Sequence, residues 1–242
     1  MTRDAFNAWY DMVICDLPRK TKCVDYVAGW SVSLGQLFKD TTEFLSVAEN
    51  HGIIQNPDKF VWGVKEMEFV GFWVSVDGVK PTDETLQAIT GFPRPADITG
   101  IRLCFGLVEQ VAFSFSKTSL MEQFCNLPQP KNVFCRDDNL QKAYDTAKAE
   151  IVRLVVTGVK SFKFGEWLCL VTDWSKGAVG YVLWQKRCKC TEVGPGCCKD
   201  GWVTVAVGSR FCTPTESRYA PIEGELPGLA WALVPLLAPW KP

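Results

Sequence analysis

Histidine is almost missing from this chain: His51 is the single one among 242 residues. Its place after an amphipathic stretch reads as a solvated last-turn residue, so chemistry here falls to carboxylates and thiols. An excess of either charge is missing too, with 26 Lys and Arg against 27 Asp and Glu. A net charge of −1 gives no global basic field, and any contact with nucleic acid must rest on local patches. Long apolar runs are absent. The most apolar stretch, Leu229 to Leu237, is too short to span a bilayer and is interrupted by Pro235. The N-terminal text MTRDAFNAWYDM carries charge early and has no apolar h-region, so no secretory leader is read there. What remains is a globular composition, 47% hydrophobic and 22% charged, in a chain long enough for two compact units. Eleven cysteines without a leader point to a reducing compartment, cytoplasmic or nuclear, with mostly free thiols. Membrane partners are not expected.

The most informative stretch is Leu168 to Gln185, LCLVTDWSKGAVGYVLWQ. A β-branched apolar run ends in the carboxylate Asp173. Ser175-Lys176-Gly177 breaks it, and Ala178 to Leu183 returns as a second strand. Some forty residues on stands SRFCTPTESRYAPIEGELPGLAWAL, Ser209 to Leu233. Together these resemble the start of the ribonuclease H domain of gypsy-type LTR retrotransposon Pol polyproteins. That resemblance implies a site that cuts the RNA strand of an RNA–DNA hybrid with two Mg²⁺ ions held by carboxylates. Asp173 matches the first-strand aspartate and Glu225 the helix glutamate. Ser175 would contact the hybrid backbone or, as a turn hydroxyl, stabilise the bend. Glu223, two residues before Glu225, points elsewhere on a helix.

Two features imply impairment. The family's next aspartate would fall beyond Pro242, and Pro227 lies inside the helix that should present Glu225, where a proline costs about 3 kcal/mol. The tail LVPLLAPWKP is expected to abandon the helical pattern.

The preceding text extends the resemblance from Lys22 to Leu233. Met1 to Thr21 shows no clear period. Cys23-Val24-Asp25-Tyr26 resembles the altered tip of the palm hairpin Y-x-D-D, where paired aspartates hold Mg²⁺ for nucleotidyl transfer. Asp25 matches the first of the pair, and Tyr26 replaces the second. Ser33 to His51 reads as a helix with Ser33 as N-cap, Gly52 as its end, and Leu34, Leu37, Phe38, Leu45 and Ala48 as its apolar stripe. Glu68 to Val76 reads as strand text, with Asp77-Gly78 as a type I′ turn. In the family the hairpin around Phe69, Val70, Gly71 and Phe72 is the primer grip.

Thr82 caps a short helix to Ile89. Asp97 or Thr99 caps the next, with Ile98, Ile101, Phe105, Val108 and Val111 along one face. FPRPADITGIRLCFGLVEQVAFSF resembles the family's thumb, with Arg94 and Arg102 as phosphate contacts or, alternatively, solvated arginines. After a linker from Pro128 to Lys131, Asp137 or Asp138 caps a helix to about Val156, whose face is Leu140, Ala143, Tyr144, Ala147, Ile151 and Val155.

Cys188, Cys190, Cys197 and Cys198 form C-x-C-x₆-C-C across Gly-Pro-Gly. They are zinc ligands, free thiols on a long loop, or disulfide partners, and a disulfide would need an oxidising compartment.

The expected fold is α+β or α/β: palm hairpins and a helical thumb, then a truncated ribonuclease H-like mixed sheet with helices. The expected divisions are 1–80 palm end, 81–130 thumb, 131–160 connecting helix and 161–242 ribonuclease H-like. The resemblance implies RNA-directed DNA synthesis and hybrid cleavage, impaired here, with Mg as cofactor. It implies RNA–DNA hybrid or primer-template, and other parts of a Pol polyprotein, as partners. The alternative is a non-catalytic protein derived from the element that binds nucleic acid or a protein partner.

Overall fold

The computed structural model describes residues 2–116, 138–192, 194–198 and 201–237. It divides into two compact units, Met1–Val76 and Asp77–Pro242. At the N-terminus, where the sequence shows no clear period, helix α1 occupies Arg3–Ile14 with Thr2 as N-cap, its hydroxyl accepting from Ala5 N at 3.3 Å.

In the first unit, Tyr10, Ile14 and Leu17 form the buried cluster, with Phe6, Trp9, Val13, Val27, Phe44, Val47 and Ile53 packed on it. On α1 the members Phe6, Trp9, Tyr10, Val13 and Ile14 stand three or four residues apart, a helical stripe built largely from aromatics. Strands β1 (Lys20–Cys23) and β2 (Tyr26–Gly29) form an antiparallel hairpin, with Cys23 opposite Tyr26. Helix α2 covers Leu34–Asn50. Ser33 caps it by accepting from Gln36 N at 3.2 Å, and Gly52 follows its end at φ +67. Its buried side differs from the expected stripe. Ala48 is buried, and Phe44 and Val47 pack on the core, but Leu34, Phe38 and Leu45 are exposed. The stripe is rotated because the core on offer is the narrow face of α1. The described bend at Val70-Gly71 likewise splits the expected strand into β3 (Glu66–Phe69) and β4 (Phe72–Ser75). Both turn residues have positive φ, +53 and +81, as a type I′ turn requires. At Asp77-Gly78 only the glycine does, so the type I′ turn sits at the first pair and not the second.

The second unit begins with β5 (Gly78–Pro81), which pairs antiparallel with β6 (Val159–Lys160). Glycine is needed on both strands of this short pairing: a Cβ on Gly78 would lie 2.1 Å from Val159 O, and one on Gly158 2.3 Å from Val79 O. Helix α3 (Asp83–Thr90) is capped by Thr82, and α4 (Ile98–Val111) by Asp97, whose carboxylate accepts from Gly100 N at 2.7 Å. Helix α5 spans Asp138–Thr157 and buries Tyr144, Ala147, Ile151 and Val155. The expected linker at Pro128 to Lys131 and the Asp137 cap lie outside the described residues.

Strands β7 (Leu168–Trp174), β8 (Ala178–Lys186) and β9 (Trp202–Phe211) form an antiparallel sheet in that order. Helix α6 (Pro221–Leu237) lies on its Val179 and Tyr181 face, with Trp231 stacked 5.5 Å from Tyr181. The helical pattern therefore continues through Pro227 and Pro235 to Leu237, where the sequence had pointed to its loss. Both prolines are exposed, so the carbonyls they leave unbonded can be solvated. No described helix is long and apolar enough to cross a membrane.

Candidate functional site

The hairpin β1–β2 exists to turn sharply. Val24 at its tip has φ +56, an unfavourable backbone for a β-branched residue, and Asp25 follows, exposed. Lys22 secures the base of the tip. Its ammonium donates to Val24 O at 2.9 Å, pairs with Asp11 at 3.1 Å and lies 5.2 Å from the Tyr10 ring centre. Burial raises the Tyr10 hydroxyl above its ordinary value, and the Asp25 charge adds to that rise.

Asp25 and Tyr26 line a cleft of about 500 Å³ whose other walls include Met67, Glu68 and Phe69 of β3. The β1–β2 tip and the strand β3 thus share one cavity. Arg19, Lys20 and Lys59 bring positive charge to the same walls, and Trp30, Phe60 and Trp62 bring aromatic faces. Trp62 is fixed by its indole N–H, which donates to Thr41 Oγ1 at 2.9 Å. Asp40 answers Arg19 in a two-point ion pair and also accepts from Ser31 and Gln36. Those hydrogen bonds, Arg19's above all, hold the Asp40 carboxyl well below the usual carboxylate range. The three aromatic walls and the Arg19–Asp40 pair escaped the sequence reading, since nothing in their spacing links them. In the β3–β4 hairpin, Phe69 pairs with Phe72 across the ladder, both half-buried, while Val70 is exposed at the turn beside Gly71.

In the second unit Arg94 is engaged: its guanidinium donates to Asp145 Oδ2 at 3.0 Å, with both side chains about half exposed. Lys148 donates to Phe92 O at 2.9 Å, fixing the chain just before it. Arg102 is exposed on α4. Ser175 closes the β7–β8 turn, its hydroxyl accepting from Ala178 N at 3.0 Å and Gly177 N at 3.3 Å. Asp173 stands opposite Gly180 near the end of β7 and is exposed. The next residue, Trp174, packs so closely on α6 that a Cβ on Gly224 would meet its ring at 2.2 Å. Glu225, which follows Gly224 on α6, is also exposed. Strand alternation sets Asp173 on the face away from Trp174. Glu223 serves the helix itself, accepting from Ala220 N at 2.9 Å as a first-turn cap. Gln185, wholly buried, bonds the Lys163 backbone twice, at 2.8 and 2.7 Å, so this motif residue is a structural tie.

The four loop cysteines form the one group of three or more metal-capable side chains found among the described residues, with their donor atoms all within 4.8 Å of one another.

No family model matches the chain. It is 24% identical over 205 residues to the Retrovirus-related Pol polyprotein from transposon 412 of Drosophila melanogaster, covering 82% of this chain and 15% of that polyprotein. It is 26% identical over 165 residues to the Transposon Tf2-7 polyprotein of Schizosaccharomyces pombe, covering 68% of this chain and 12% of the relative. The chain is a relative of the gypsy-type retrotransposon Pol polyproteins. It spans only a small part of their length, as those shares state. Among solved structures, foamy viral protease-reverse transcriptase bound to double-stranded DNA matches this Pol relative at TM-score 0.72 and 15% identity, over 97% of this chain and 39% of that one. The same viral protein bound to an RNA/DNA hybrid also matches at 0.72, over 96% and 30%. The mixed α and β fold of the Pol relative is therefore that of these reverse transcriptase structures.

Proposed function

We propose that this Pol relative grips a primer-template duplex or RNA–DNA hybrid and that its polymerase chemistry is impaired. The observation that carries the reading is the cleft of the first unit, where Asp25 and Tyr26 share walls with Phe69, with Trp30, Phe60 and Trp62, and with the cations Lys20, Lys59 and Arg19, the last already paired with Asp40. Aromatic faces stack on bases and cations meet phosphates, which suits an extended polyanion in a protein whose net charge is only −1. On this reading the first unit is the palm end, Phe69 to Phe72 supports the primer strand, and Arg94 and Arg102 meet backbone phosphates.

Tyr26 supplies no carboxylate beside Asp25, and the two-ion mechanism needs clustered hard oxygens. Asp25 by itself does not fit that donor set, so no nucleotidyl transfer step is assigned to it. Asp173 and Glu225 are exposed hard-oxygen donors on adjoining elements, a set suited to Mg²⁺. Asp173 and Glu225 would be the residues to hold Mg²⁺, and the chemistry supplied there would be the lowered pKa of a bound water. The protein's own part is to offer the two exposed carboxylates on β7 and α6, with the Ser175 turn fixing the strand end.

The test is fluorescence anisotropy of a labelled hybrid across salt concentrations. Binding should weaken linearly in log salt, and Arg94→Ala and Arg102→Ala should each reduce the slope by about 1. Salt-independent binding, or none by a folded chain, would overturn the reading. Primer extension that depends on Asp25 would overturn the impairment. Cleavage of the hybrid with Mg²⁺ that disappears in Asp173→Asn would assign activity to the second carboxylate pair.

A further inference from the structure

We propose that Cys188, Cys190, Cys197 and Cys198 form a tetrahedral zinc site that ties the connection between β8 and β9. Four sulfurs at about 2.3 Å from one zinc ion stand about 3.8 Å apart along each edge of the tetrahedron. Here Cys188 and Cys197 are 3.3 Å apart, Cys190 and Cys198 3.6 Å, and Cys197 and Cys198 3.9 Å. All four donor atoms lie within 4.8 Å of one another, so a small adjustment completes the tetrahedron. Soft thiolates select zinc over the hard cations that the carboxylates elsewhere in the chain would take. With all four positions filled by protein, the site is structural and offers no open coordination to a substrate.

The surroundings are shaped for this cluster. A Cβ on Gly201 would lie 2.3 Å from Cys198 Sγ and 2.8 Å from Cys188 Sγ, so only glycine lets the sulfurs converge. The Trp202 indole N–H points at Cys197 Sγ at 3.4 Å and also donates to Gly194 O at 3.1 Å, a contact of the kind that orients and tunes a thiolate ligand. Backbone bonds from Arg187 N and Cys188 N to Gly201 O close the base of the loop at 2.7 and 3.3 Å. Lys186 is buried, and its ammonium donates to the carbonyls of Cys190 and Glu192. Four thiolates and one zinc ion carry two negative charges, of which this cation offsets one.

The thiols do not ionise alike without a metal. Burial pushes the Cys188 thiol up, but hydrogen bonds from Cys197 and its other neighbours outweigh it and bring the group down to about 7. Hydrogen bonds with Cys188 and then Cys190 push Cys198 up to about 12. A divalent cation relieves that competition by taking all four as thiolates, with release of protons.

The full chain, purified under reducing conditions without chelator, should retain about one zinc per molecule by elemental analysis. Cobalt substitution should give the intense visible absorption of a tetrahedral thiolate complex. Cys188→Ser combined with Cys197→Ser should drop the metal to about a tenth or less, while Cys104→Ser combined with Cys212→Ser should leave it intact. Because the first pair could fail to fold, the cobalt spectrum of the unaltered chain stands as the independent measurement. Stripping the metal should make the four thiols reactive and open the loop to protease. Zinc near zero in a folded chain, zinc retained in the Cys188/Cys197 variant, or an intact mass showing these cysteines as disulfides would overturn the site.

Discussion

In the second unit Val111, Val155, Val179 and Ala232 are sealed from solvent, whereas in the first unit Phe38 is 65% exposed, Ile54 96% and Val32 98%. The two units have similar apolar text and bury it differently. The second closes a core on the sheet β7–β8–β9, the long helices α4 and α5, and α6. The first offers one narrow buried seam, on α1, and leaves a wide apolar rim around its cleft. The difference teaches that the first unit is built to expose its walls and the second to hold its shape.

The largest effect that would sharpen this contrast comes from the second core. Ile151, 3% exposed on α5, should cost about 3 kcal/mol when truncated in Ile151→Ala, by transfer loss plus the cavity left behind. Chemical denaturation, with hydrogen exchange of the α5 amides to assign the transition, measures it. A loss below about 1 kcal/mol would mean the second core is loosely packed and the contrast is false.

Next comes the seat of α6. In Gly224→Ala the added methyl would have to displace the Trp174 ring, against a gain of about 1 kcal/mol in helix propensity. The net expectation is a loss of about 1–2 kcal/mol, with a shift in Trp174 emission as the helix moves off the sheet. An unchanged spectrum and stability would show that the Trp174–Gly224 contact does not seat α6 on the sheet.

Glu216 tests the same unit by pH. It accepts from Arg210 at 2.6 and 2.8 Å and from Thr213 N at 2.8 Å, and these bonds bring its carboxyl down to about 2 from 4.5. The folded value is depressed, so the stabilisation is fully present above about 4.5 and is lost as pH falls towards 2. Partial exposure of both partners reduces its size to about 1 kcal/mol. Denaturation midpoints followed from pH 6 to pH 2, roughly the titration window, should fall less steeply for Glu216→Gln. Identical slopes would show that the pair contributes nothing.

How much of this could be read beforehand depended on whether an element's signal was local. Thr82, Asp97 and Ser33 are caps whose side chains bond three residues ahead; Thr82 and Ser33 were legible outright, and Asp97 as one of two candidates beside Thr99. The faces of α4 and α5 were legible because each meets a broad core that buries a full helical stripe. The face of α2 was not: Leu34, Phe38 and Leu45 satisfy the period, but the partner helix α1 covers only the Phe44, Val47 and Ala48 side. The hairpin at Val70-Gly71 was legible only through the resemblance, because a β-branched residue at positive φ runs against propensity, while Asp77-Gly78 carries the stronger local signature. Pro227 and Pro235 misled because periodicity cannot show which side of a helix faces water. At the site, Asp25, Asp173 and Glu225 came from motif order, whereas Trp30, Trp62 and Arg19 are joined to the cleft only by long-range packing. The cysteine group was visible as spacing, but the convergence of its sulfurs depends on Gly201 and Trp202 across the loop.

The smallest expected effect returns to the first unit. Phe38→Ala removes a large aromatic side chain, which in a closed core would cost about 3–5 kcal/mol. At 65% exposure on α2, outside the buried cluster, it should cost under about 0.5 kcal/mol. Phe44→Ala, one helical face away and packed on Tyr10, Ile14 and Leu17, should cost clearly more, and the pair of variants compared by denaturation isolates burial from chemistry. The ratio matters more than either value. If Phe38 proves as costly as Phe44, the outer face of α2 is covered in solution and the first unit is not the open one. If Phe38 is silent for stability yet Trp62→Ala weakens hybrid binding, the exposed aromatics belong to the cleft's ligand and not to the fold.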